Sequence, residues 1–125
     1  MTNKSQSILF KVVNKFNVSI VETEYFNIEK SNEESLNQLY KLIGTDTIEL
    51  VHIIDNLFAV IDENGKMKSN QPIMELTIHG VAHEFVGNVV LLTIENDDFA
   101  DINCQFLNKL QNTTCANHLI TKYTN

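Results

Sequence analysis

Leu57-Phe58-Ala59-Val60-Ile61-Asp62-Glu63-Asn64-Gly65-Lys66-Met67-Lys68 is an apolar run that stops at an Asn-Gly pair and resumes with a lysine. Asn64 and Gly65 both tolerate positive φ, which a tight hairpin turn demands. The stretch therefore predicts a strand from Leu57 to Asp62 and a reversal of the chain at Asn64-Gly65. A sheet-centred domain is expected around it.

Working towards the N-terminus, Thr47 to Ile54 is β-branched and mostly apolar, and Asp55-Asn56 turns it into Leu57 to Asp62. Ile8 to Asn14 and Val18 to Ile28 read as two earlier strands with a turn at Asn14-Lys15-Phe16-Asn17. Between these pairs, Ser31-Asn32-Glu33-Glu34 forms a capping box, in which Ser31 accepts from the amide of Glu34. Leu36, Leu39, Tyr40 and Ile43 follow at i, i+3, i+4 and i+7, one apolar stripe. Gly44 sits where a C-terminal cap belongs. A helix from Asn32 to Ile43 is expected.

Towards the C-terminus, Lys66 to Pro72 is polar and loop-like. Ile73 to Ile78 is compatible with a short helix or a strand. Phe85 to Glu95 is too apolar to face water on either side, so it reads as one central strand, with Gly87 permitting a bulge. Asn96-Asp97-Asp98 would end that strand and cap a second helix, whose apolar face is Phe99, Ile102, Phe106 and Leu110. Asn112-Thr113-Thr114 would stop it, and Cys115 to Asn125 would add at most another helical turn. The expected fold is α+β: a mixed or mainly antiparallel sheet of about five strands with two helices. Residues 1–102 form the core and 103–125 a C-terminal helical extension of the same single domain.

At 125 residues there is room for one ordinary domain. A chain of this length buries roughly two-thirds of its unfolded surface and needs no disulfide or metal to fold. No apolar stretch approaches the ~20 residues of a membrane span, and the N-terminus lacks a signal-peptide pattern. A cytoplasmic location and no membrane partner are expected. The formal charge is −7 and arginine is absent. That disfavours direct nucleic-acid recognition, which leans on Arg and basic stripes. The carboxylates are spread over several segments and read as solubility; an acidic surface that decoys a DNA-binding enzyme is the sharper alternative. Cys104 and Cys115 would lie about 16 Å apart along a continuous helix, too far for a disulfide; only a break between them would let them pair.

His79-Gly80-Val81-Ala82-His83-Glu84 holds the most tempting chemistry. On a helix, His79 and His83 could share a metal. On a strand they would be about 13 Å apart and could share nothing. Gly80 occupies the position where the metalloprotease pattern has Glu, so no metal site is assigned. His52, inside an apolar strand, reads as satisfied or edge-facing. There is no nucleophile elbow and no phosphate-binding glycine loop. Glu33-Glu34 and Asp97-Asp98 are explained by the dipole at a helix start. Neither a catalytic residue nor a cofactor is expected. Lys66, Lys68, Ser69, Asn70 and Gln71 form one mildly basic polar loop that could hold a small anionic ligand.

An ordered series then carries a likeness: Leu42-Ile43-Gly44, Ile48-Glu49-Leu50-Val51, Phe58 to Lys66, Asn70-Gln71-Pro72, His83 to Leu91 with Val86-Gly87-Asn88, and Asp98-Phe99. The chain resembles domain-of-unknown-function family 3846 over roughly Lys11 to Ile102. It departs from the pattern after Asp98-Phe99, where the usual Ser/Thr is missing. The resemblance implies an accessory protein of a phage or mobile element that acts against host defence. It carries no catalytic residues. With Lys66, Lys68, Asn70, His79, His83 and Asn88 as candidate ligand-binding residues, the expected function is non-enzymatic sequestration of a small nucleotide-derived ligand. The alternatives are an inhibitor that binds a host protein through its acidic surface or C-terminal helix, and a metal-dependent hydrolase using His79 and His83. A homo-oligomer is compatible with the sequence.

Overall fold

A computed structural model describes residues 4–15, 18–29, 32–78, 81–96, 98–101 and 118–124. The strands are β1 (Lys4–Lys15), β2 (Val18–Glu29), β3 (Ile48–Ile54), β4 (Leu57–Asp62), β5 (Pro72–Ile78), β6 (Val81–Val86), β7 (Val89–Glu95), β8 (Asp98–Ala100) and β9 (His118–Tyr123). The helix among the described residues is α1 (Asn32–Ile43). The larger sheet runs β2-β1-β7-β4-β3, with β8 pairing the far half of β7. The smaller runs β6-β5-β9. Every pairing among the described residues is antiparallel. The α+β class holds, with more strands than the five expected.

β7 explains the architecture. Its side chains alternate, and both sets are buried. Val89 and Leu91 join Ile8, Phe10, Met74, Leu76 and Phe85 in a core between the two sheets. Val90 and Leu92 join Leu9, Ile28, Leu39, Ile43 and Val60 in a second core beneath α1. The larger sheet is thus covered on both faces, and its middle strand must be apolar at every position. Each such side chain contributes roughly 1.5–3 kcal/mol by leaving water. The layers are α1, large sheet, small sheet.

α1 has the expected bounds. Gly44 adopts φ +88°, and Gly44 N–H and Thr45 N–H both donate to the Tyr40 carbonyl, at 2.8 and 3.2 Å. This is the glycine-capped helix end expected there. Ser31 lies outside the described residues. The buried stripe is rotated from the expected one: Ser35, Leu39 and Ile43 point inwards, and Leu36 is 43% exposed. The helix packs on β2, β4 and β7, and Leu36 faces an apolar groove beside that contact, with Leu50 and Phe99.

The Asn64-Gly65 reversal is corrected. β4 pairs with β3 and β7 and not with the strand that follows it. Asn64 has φ −102° and Gly65 opens a 3₁₀ turn, Gly65–Met67, that carries the chain from the large sheet to the small one. Gly65 is needed for contact instead: a Cβ there would lie 2.9 Å from Val86 Cβ. Among the described residues, the non-glycine turn positions with positive φ are Asp55 at the β3–β4 hairpin, Asn70 before β5 and Asn96 after β7, at 51°, 58° and 53°.

Three further expectations are corrected. Phe85 to Glu95 is two strand segments, split at Gly87 (φ +79°), which places β6 and β7 in different sheets. Ile73 to Ile78, where the sequence left a short helix or a strand open, is the strand and needs no correction. The expected start of a second helix at Asp98-Phe99 is strand β8, because Phe99 pairs with Ile94 in a hairpin. Ile102, Phe106, Leu110, Cys104 and Cys115 lie outside the described residues. Within the expected helical extension 103–125, residues His118–Tyr123 form strand β9 on β5.

Candidate functional site

Where the chain passes between the sheets, turns replace regular structure, and a cleft of about 440 Å³ opens. Asn70, Gln71 and Pro72 form one wall, Gly87 and Asn88 another. Ile43 at the end of α1, Val12 of β1 and Tyr123 of β9 complete it. The surface is mainly polar. Two residues singled out in the sequence, Asn70 and Asn88, thus meet in one place although 18 positions separate them.

Asn88 is committed to the fold. Its Oδ1 accepts from Val12 N–H at 2.8 Å. Its Nδ2 donates to the Leu42 carbonyl at 2.8 Å. One side chain thereby ties β1 to the last turn of α1 and satisfies a carbonyl that has no partner within the helix. Asn70 differs: it is exposed and sits at φ +58°, a conformation that Asn accepts better than most residues.

The loop is held by Thr124. Its N–H donates to the Gln71 carbonyl at 2.8 Å, and its carbonyl accepts from Asn70 N–H at 3.1 Å. Its Oγ1 accepts from Gln71 N–H at 2.8 Å and donates to the Lys68 carbonyl at 2.5 Å. Gly87 N–H donates to the Pro72 carbonyl at 3.0 Å. The cleft walls are therefore fixed by backbone bonds from β9 and from the β6–β7 junction.

Neither lysine of the loop lines the cleft. Lys68 Nζ sits 2.5 Å from Asp62 Oδ2, and Lys66 is exposed on the 3₁₀ turn. The mildly basic loop is thus partly neutralised from within. His83 lies on β6 opposite Leu76, its ring parallel to that of Phe85 with centroids 6.0 Å apart. His79 lies outside the described residues. Among the described residues, no group of three His, Cys, Asp or Glu side chains is placed to hold a metal. His52 is satisfied as expected: its Nε2 donates to the Asp55 carbonyl at 2.7 Å, and its ring packs edge-on against Phe58.

The sequence reading missed Tyr123 and Thr124. The signal was present in His118-Leu119-Ile120-Thr121-Lys122-Tyr123, which is rich in strand-favouring residues.

The model of the domain of unknown function DUF3846 matches residues 16–114. The chain belongs to this family. No curated protein and no solved structure matches it. In this DUF3846 protein the match spans the helix, both sheet junctions and most of the cleft wall. Val12, Tyr123 and Thr124 lie beyond the matched residues. Among the described residues, no helix is long and apolar enough to cross a membrane.

Proposed function

We propose that this DUF3846 protein is a non-enzymatic binding protein that holds a small, planar, nucleotide-derived ligand in the cleft beside Asn70, Gln71 and Tyr123. The observation that carries the reading is that two amide residues, Asn70 and Gln71, and an aromatic one, Tyr123, line one cleft whose walls are fixed by backbone bonds, with the Gln71 Nε2 held by the Ser69 carbonyl at 3.2 Å. The cleft volume of about 440 Å³ falls within the range of small-molecule sites. Amides match the hydrogen-bonding edges of a nucleobase, and an aromatic ring offers a stacking face. Tyr123 is 47% exposed and so has a face to offer.

The electrostatics favour the base over a phosphate. Lys68 is held by Asp62, and the chain carries a net −7. Ile43 lines the cleft from the C-terminal end of α1, where the helix dipole repels anions. The phosphate of a nucleotide would point to solvent. In an accessory protein of a phage or mobile element, such binding would withdraw a signal from host defence.

Calorimetry with nucleoside monophosphates and cyclic dinucleotides tests the reading. At least one class should bind, and Tyr123→Ala should weaken it by about 1–3 kcal/mol, the usual loss of one stacking partner. No heat with any of them, together with no small molecule retained in native mass spectrometry after incubation with cell extract, would refute it.

A further inference from the structure

Most N–H groups around the polar cleft are already committed. Asn70 N–H donates to the Thr124 carbonyl and Gly87 N–H to the Pro72 carbonyl. Gln71 N–H donates to Thr124 Oγ1, and Val12 N–H to Asn88 Oδ1. Pro72 has no N–H. Two side-chain amides follow the same pattern: Asn88 Nδ2 donates to the Leu42 carbonyl and Gln71 Nε2 to the Ser69 carbonyl. A carbonyl partner fixes which end of an amide is nitrogen. Gln71 therefore gives its nitrogen to the loop and keeps Oε1 as an acceptor.

The end of α1 adds lone pairs. Ile43 lines the cleft, and in a continuing helix its carbonyl would accept from Thr47 N–H. Thr47 N–H donates to Thr45 Oγ1 instead, at 3.2 Å. Thr45 N–H, which would reach the Lys41 carbonyl, turns to that of Tyr40. The last carbonyls of a helix together carry roughly half a negative charge. Among the described residues, no lysine lines the cleft to offset it. Acceptors outweigh donors here.

We infer that the cleft selects guanine among the bases, a step that rests on the nucleotide reading above. A wall of acceptors asks for a ligand edge of donors. Among the common bases, donors outnumber acceptors only on the Watson–Crick edge of guanine, where N1–H and N2–H₂ stand beside O6. Adenine sets its amino group beside a bare ring nitrogen. Cytosine and uracil each carry acceptors in the majority. Asn70, exposed on the cleft wall, has an amide N–H₂ that can serve the lone guanine acceptor, O6. Stacking on Tyr123 tolerates any base, so the choice falls to the edge.

Calorimetry on the full chain with guanosine, inosine and adenosine monophosphates tests this. Inosine monophosphate is the guanosine compound without its 2-amino group. The guanosine compound should bind about tenfold tighter or more, because without the amino group a cleft acceptor stays unpaired. It should also bind tighter than the adenosine compound, and Tyr123→Ala should weaken it. Equal binding of the guanosine and inosine compounds, or tighter binding of the adenosine one, would overturn the inference and leave the nucleotide reading standing. A guanosine preference that Tyr123→Ala leaves at full affinity would place the base on another surface and overturn it too. If none of the three binds, the inference falls, and the nucleotide reading falls with it when cyclic dinucleotides also fail to bind.

Discussion

The polar cleft and the apolar groove differ in what their walls are for. In the cleft, Asn88 and Thr124 spend their polar atoms on backbone groups of β1, α1 and the loop. In the groove, Leu36 and Leu50 turn apolar surface towards water although α1 and β3 are regular elements. The usual association of polar with dispensable and apolar with structural is reversed here. A polar side chain that bridges two backbone groups leaves both unsatisfied when it is removed. A half-exposed leucine on a helix face loses little when it is cut back.

The contrast breaks or sharpens in urea unfolding. Asn88→Ala should give the largest loss, about 2–3 kcal/mol, because Val12 N–H and the Leu42 carbonyl both lose their partner. Thr124→Val keeps the backbone bonds but loses both hydroxyl bonds, and should cost about 1–2 kcal/mol. Leu36→Ser should stay within about 0.5 kcal/mol. If Leu36→Ser cost more than Asn88→Ala, the assignment of roles to the two hollows would be reversed.

Much of the fold was legible because it is locally encoded. The α1 bounds follow from an apolar period and Gly44, and β3 and β4 from β-branched runs around Asp55-Asn56. The continuous apolar run of β7 announced burial on both faces. What was not legible depends on partners distant in sequence. Asn-Gly at 64–65 reads as a hairpin whether glycine is required by φ or by a neighbour, and the neighbour, Val86, is 21 residues away. The run from Phe85 to Glu95 gives no sign that Gly87 divides two sheets. Leu36 looked buried because periodicity fixes the spacing of a stripe but not the angle at which a helix crosses its sheet.

The candidate site was half legible for the same reason. Asn70 and Asn88 were both singled out, yet only the fold brings them together, and it gives Asn88 a role in holding the helix end. Lys66 and Lys68 suggested an anion site, but Lys68 meets Asp62 six residues earlier. Tyr123 reaches the cleft, and Thr124 the loop beside it, only because β9 pairs with β5 from more than 40 residues away.

The central claim is that the polar cleft, and not the apolar groove, takes a small planar ligand. Two-dimensional amide NMR during titration with adenosine monophosphate, guanosine monophosphate and a cyclic dinucleotide tests it most directly. Saturable shifts at Asn70, Gln71, Gly87 and Tyr123, with Leu36, Leu50 and Phe99 unmoved, are the expected result. Shifts confined to the groove residues, or none with any of the three, would contradict it.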